Sequence, residues 1–188
     1  MKDKVRCSWC SNNILYKNYH DNEWGVRISD DRKLFEFLIL ETFQAGLSWY
    51  TILKKRKIFI NAFDKFDFYK ISVYDIRKIE KLMNNKGIIR NRSKIISTIS
   101  NAKAFISVQK TYGSFYKYLS DFKNKYSNPK DHLDPLNNFS PLAKNISDDL
   151  KKKGFKFLGP KITYAYLMAS GIINGHQTDC FRYLELKS

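Results

Sequence analysis

The chain has 188 residues, 43% of them hydrophobic and 15% aromatic, enough to bury roughly 70% of its unfolded surface around one core. Against 34 Lys and Arg stand 18 Asp and Glu, a formal net charge of +16, so the chain carries a broad positive field and calls for an anionic partner, with nucleic acid the foremost class. Three cysteines, no signal peptide and no long apolar run exclude a disulfide scaffold and a membrane protein, and predict a cytoplasmic protein folded as one domain over 1–188.

The periodicity is helical almost throughout, and nothing alternates with period two. Asp30 reads as an N-cap before the apolar stripe Leu34, Phe35, Phe37, Leu38 and Leu40. A second helix starts near Ser48 and carries Ile52, Leu53, Phe59 and Phe63, which leaves Glu41 to Leu47 as the junction. Ser72 and Asp75 match a capping box for a helix reaching Met83, and Ser93 opens another with Ile95, Ile96, Ile99, Ala102 and Phe105 on one side. Tyr126 to Ser140, with Pro129 and Pro135, predicts a long surface loop. Ser140 and Pro141 then start a helix that ends at Gly154 after three lysines, and Pro160 starts the next, which runs to Gly171.

Cys7 and His20 near one end, with His176 and Cys180 near the other, supply two thiols and two imidazoles, a complete tetrahedral zinc set. One ion held by residues 7–20 and 176–180 would tie the two ends together. His176 and Cys180 are four apart, the spacing of one helical face. Cys10 makes a C-x-x-C with Cys7 and competes with His20 as the fourth ligand, and spacing does not choose between them. Two unrelated cysteines and two buried or surface histidines remain the ordinary alternative.

Gly154-Phe155-Lys156-Phe157-Leu158-Gly159 is a glycine-bounded hairpin between two helices. Its glycines permit positive φ, and the amides at the following helix start can face a phosphate. Together with residues 140–171 this is a helix-hairpin-helix pattern, or else an ordinary glycine-capped connection; Lys151 to Lys153 and Lys156 favour DNA backbone.

Tyr19-His20-Asp21-Asn22-Glu23-Trp24-Gly25, Leu40-Glu41 followed by Gln44-Ala45-Gly46-Leu47-Ser48-Trp49, Gly87-Ile88-Ile89-Arg90 and Gly154-Phe155-Lys156-Phe157 resemble the 3-methyladenine DNA glycosylase I family, from Cys7 to Cys180. The resemblance implies an all-α helix-hairpin-helix glycosylase that hydrolyses the N-glycosidic bond of 3-methyladenine in alkylated double-stranded DNA, with free base as product. It implies one structural zinc ion on Cys7, His20, His176 and Cys180, which leaves Cys10 out.

In the implied site, Glu41 and Tyr19 recognise the extruded base, Trp9, Tyr16, Trp24 and Trp49 surround it, and Gln44, Gly46 and Leu47 fill the gap left in the duplex. Gly154, Lys156 and Gly159 hold the DNA backbone. A base methylated at N3 is cationic while attached to its sugar, so aromatic faces and a carboxylate attract it, whereas neutral adenine gains neither. Many relatives of the wider superfamily carry an aspartate near the segment Gly171 to His176; this chain has none there, which places any role of that carboxylate in doubt. No lysine is placed as a Schiff-base nucleophile, and a monomer without membrane contact is expected.

Overall fold

A computed structural model describes residues 4–10, 13–126 and 139–186. Its described residues form ten α-helices and no strand: α1 (Ile14–Asn22), α2 (Asp31–Gln44), α3 (Trp49–Ala62), α4 (Phe68–Ser72), α5 (Ile76–Asn84), α6 (Arg92–Tyr112), α7 (Phe115–Tyr126), α8 (Pro141–Lys152), α9 (Pro160–Ala169) and α10 (Phe181–Glu185). None is long and apolar enough to cross a membrane.

The hydrophobic helix α2 is central: every residue from Leu34 to Phe43 is buried, and it packs on α3, α6, α7 and α9. Phe35 meets Phe105 of α6 edge-on at 5.1 Å, and Phe105 stacks on Phe115 of α7 at 4.1 Å. On the other side Phe43, Phe59 and Phe63 form a second aromatic group. Truncating a fully buried phenylalanine of this kind costs about 3–5 kcal/mol.

Local chemistry sets most helix starts. Asp30 caps α2 by accepting from the Lys33 amide at 2.8 Å, Ser48 caps α3, and Ser140 with Pro141 starts α8, all as expected. Three boundaries differ. Ser72 closes α4, its hydroxyl donating to the Tyr69 carbonyl, so Asp75 alone caps α5. Asn91 rather than Ser93 caps α6, because its side chain reaches the Lys94 amide. The junction after α2 narrows to 45–48, since Glu41 to Gln44 continue the helix. Most of the expected loop at 126–140 lies outside the described residues.

The α1 helix was not anticipated. Its Tyr16, Tyr19 and His20 lie at i, i+3 and i+4, so one face carries all three toward the body of the protein. At the far end, α8 and α9 pack together across the turn at 154–159.

Candidate active site and metal centre

Glu41 sits in the last turn of α2, where an otherwise apolar helix meets a cavity of about 370 Å³. The cavity is lined by Trp9 and the α1 residues Tyr16 and Tyr19, with Trp24, Glu41, Gln44, Ser48 and Trp49 completing most of the wall. Ala165 and Met168 of α9 close it. All six residues expected to bind the base, together with Gln44, therefore meet in one place. Gly46 and Leu47 lie beside it in the exposed turn between α2 and α3, with Leu47 40% exposed.

Three polar atoms of this wall are buried with no hydrogen-bond partner: Tyr19 Oη, Glu41 Oε2 and Trp49 Nε1. A buried polar group left unpaired costs about 1–3 kcal/mol, so three in one cavity describe a surface awaiting a polar ligand. Glu41 is 3% exposed, and burial pushes its carboxyl up to about 8 from an ordinary 4.5. Burial, reinforced by Glu41, also holds the Tyr19 hydroxyl far above its usual range.

The wall is braced from behind. Trp9 packs edge-on against Trp24 at 4.9 Å, and Trp49 lies 5.4 Å from Tyr19. The Tyr16 hydroxyl accepts from the Tyr50 amide, tying α1 to the start of α3. Phe37 stacks beneath Tyr19 and in turn carries the Arg56 guanidinium, which pairs with Glu23 at 2.8 Å and Glu36 at 2.7 Å.

Cys7, His20, His176 and Cys180 are all buried, and their ligand atoms lie within 4.8 Å of one another. Each imidazole has one nitrogen committed elsewhere. His20 Nδ1 is 2.8 Å from the Asp21 carboxylate, itself held by Arg6, and His176 Nε2 is 3.1 Å from the Trp24 carbonyl. His20 Nε2 and His176 Nδ1 are thereby aimed at the thiols, each 3.5 Å from Cys180 Sγ. Two sulfurs and two oriented imidazole nitrogens are a donor set that suits a tetrahedral soft-to-borderline metal ion. Cys10 lies outside this group.

His176 and Cys180 do not share a helical face as their spacing suggested. They flank a turn, and Cys180 is the residue before α10. Gly25 lies against the His176 ring: a Cβ there would fall 2.9 Å from His176 Nε2, so the lack of a side chain lets the imidazole pack this closely. The cluster also touches the cavity wall. Trp24 packs on His176 at 4.5 Å, and Trp9 on His20 at 5.3 Å.

At the α8–α9 turn, Gly154 has φ +94° as expected, but Gly159 has φ −70°. The second left-handed residue is Phe157 at φ +57°, its ring 45% exposed. Gly159 is instead open space: nothing lies within 4 Å of a Cβ there, and the start of α9 has no side-chain cap. Lys156 is exposed next to it.

A model of the methyladenine glycosylase family matches residues 9–183. The chain belongs to the methyladenine glycosylase family. Within it, DNA-3-methyladenine glycosylase 1 of Escherichia coli (strain K12) is 39% identical over 180 residues, covering 95% of this chain and 96% of that protein. A crystal structure of 3-methyladenine DNA glycosylase I has a TM-score of 0.85 at 42% identity, covering 94% of this chain and 98% of that one. A variant of a 3-methyladenine DNA glycosylase I, solved in complex with 3-methyladenine, has a TM-score of 0.84 at 34% identity, over 94% of this chain and 96% of that one. For this methyladenine glycosylase, three contributors were not legible beforehand: Ala165 and Met168 in the cavity wall, and Arg56 behind it. Met168 also fills the space beside Gly175, where a Cβ would come within 2.5 Å of its sulfur.

Proposed function

We infer that the protein is a monofunctional DNA glycosylase that hydrolyses the N-glycosidic bond of 3-methyladenine in alkylated double-stranded DNA. The observation that carries this reading is Glu41: a buried carboxylate with an unpartnered oxygen, facing an aromatic cavity beside the unpartnered Tyr19 Oη and Trp49 Nε1. A carboxylate kept partly protonated by burial ionises when a cation enters, so the cavity discriminates by charge as well as shape. The extruded methylated base, cationic while bonded to sugar, satisfies Glu41 and stacks among Trp9, Tyr16, Trp24 and Trp49. Undamaged adenine brings no charge and leaves Glu41 unpaired.

Cleavage needs little acid assistance, because the base takes up the bonding electron pair and departs neutral. Water supplies the oxygen to the sugar carbon and loses a proton, giving an abasic site. The wall contains no lysine, consistent with hydrolysis and no lyase step. Gln44, Gly46 and Leu47 project beside the cavity mouth to occupy the vacated stack, and Gly154, Lys156 and Gly159 of a helix-hairpin-helix unit over about 140–171 hold phosphates. In that unit the uncapped start of α9 and the open Gly159 let an anion approach the backbone.

One zinc ion on Cys7, His20, His176 and Cys180 would act structurally, joining residues 7–20 to 176–180 and bracing Trp9 and Trp24. The protein works as a cytoplasmic, single-domain monomer on the duplex. Incubation with methylated duplex DNA and chromatography of the released bases tests the reading. Release of 3-methyladenine is expected; release of no base, or of uracil from uracil-containing DNA at a similar rate, would overturn it.

A further inference from the structure

The two segments assigned to DNA, the turn at 45–48 and the hairpin at 154–159, come from distant parts of the chain, and both are anchored by one buried seam on α6. In its first turn Lys94 is 6% exposed, and its Nζ donates to the carbonyls of Phe43 at 3.0 Å and Ala45 at 2.8 Å. The last turn of α2 has no basic residue of its own, so Lys94 serves as the missing C-terminal cap, two and four residues past Glu41. Asn101, fully buried, grips the backbone of Lys156 from both sides: its Nδ2 donates to the carbonyl at 3.1 Å and its Oδ1 accepts from the amide at 2.7 Å.

Positions 94 and 101 are seven apart, hence on the same face of α6 and about 10 Å apart along its axis. Between them the hydroxyls of Ser97 and Thr98 both donate to the Lys94 carbonyl at 2.8 Å, so the buried polar side chains of this stretch are each hydrogen-bonded. Neither Lys94 nor Asn101 lines the base cavity. An apolar residue at either place would fill the volume without desolvating an ammonium or an amide, so what the polar pair adds is geometric: it fixes the end of α2 and the hairpin backbone to one helix.

We propose that Lys94 and Asn101 are positioning residues that set the separation between the end of α2, which carries Glu41 and the plugging turn, and the phosphate-holding hairpin, so that both engage one duplex at once. The proposal rests on the glycosylase reading above.

Single-turnover excision from methylated duplex, over a series of enzyme concentrations, tests it on the wild type, Lys94→Met, Asn101→Leu and the double variant. Free 3-methyladenine binding by tryptophan fluorescence and thermal melting are followed in parallel. Asn101→Leu is expected to raise the half-saturating concentration, and Lys94→Met to lower the maximal rate, each about tenfold. The double variant is expected to lose about ten- to thirtyfold in all, well short of the roughly hundredfold product, because the device fails once either end is released. Lys94→Arg, which keeps the donors, should recover most of the rate, and free-base affinity should stay within about twofold throughout. Losses that multiply, or that appear equally in free-base binding, would overturn the proposal and return both residues to general stability. Should Asn101→Leu fail to fold, Asn101→Ser carries the same comparison. A wild type that releases no base would sink the functional reading itself, a result distinct from multiplicative losses in an active enzyme.

Discussion

The aromatic cavity and the Cys/His cluster lie back to back and share Trp9, Trp24 and α1, yet they treat buried polar groups in opposite ways. In the cluster every ring nitrogen is assigned: His20 leans on Asp21, His176 on the Trp24 carbonyl, and the remaining nitrogens face sulfur. In the cavity, Tyr19 Oη, Glu41 Oε2 and Trp49 Nε1 have no partner. On the proposed reading the first arrangement would be finished by an ion and serve stability, whereas the second would stay unfinished until a base arrives, its cost to stability being the source of its selectivity.

The largest effect should come from breaking the finished side. Chelation, or Cys180→Ala, should lower Tm by roughly 10 °C or more, since it leaves the remaining cysteine side chains, two imidazoles and the two joined segments without their common partner. Because Trp24 and Trp9 pack directly on His176 and His20, free 3-methyladenine binding should fall along with stability. A melting temperature unchanged by chelation in a sample shown by elemental analysis to have lost its metal would refute the clasp.

On the unfinished side, Glu41→Gln keeps the shape and removes the charge. Excision of 3-methyladenine should drop about ten- to a hundredfold while binding to undamaged duplex stays nearly constant. Stability should move the other way. The folded carboxyl titrates at about 8, above the unfolded value of 4.5, so its favourable contribution is full below pH 4.5 and is lost as pH rises toward 8. At pH 8 Glu41→Gln should therefore raise the unfolding free energy by roughly 1–3 kcal/mol. Loss of stability together with equal losses on damaged and undamaged DNA would make Glu41 a folding residue.

The same titration sharpens the comparison through kcat/KM, which reports the free enzyme. Since a cation selects the ionised carboxylate, kcat/KM should climb nearly tenfold per pH unit below about 7 and level off above about 8, and Glu41→Gln should flatten the profile. A profile identical in wild type and variant would remove Glu41 from charge recognition.

Smallest is the effect at the hairpin, which contributes no residue to either region. Lys156→Ala should weaken all duplexes alike, by a few fold, and reduce the slope of log affinity against log salt by about one. Salt-independent binding by the wild type would dismiss the electrostatic argument for DNA.

Chemistry carried within a few residues was legible early. Asp30, Ser48 and Ser140 cap the helices they seemed placed to cap, because an N-cap needs only its own side chain and an amide two or three residues on. The aromatic and carboxylate cluster was legible through its motifs. Lys94, Asn101, Arg56 and Met168 were not, since each looks like an ordinary helix residue until segments 20 or more positions away meet it.

His176 and Cys180 mark the boundary between the two kinds of information. Residue types and pairing already implied a metal set, and the net charge of +16 already implied an anionic partner, because ligand chemistry and charge belong to the residues themselves. Helical content followed likewise from periodicity. What only the folded chain decided was which groups lose water and which of those find partners: that Glu41 is buried and unpaired, that His176 turns back over Gly25 instead of riding a helix, and that α6 holds two distant loops by one seam. Desolvation and partnering depend on segments remote in sequence, so no local pattern encodes them.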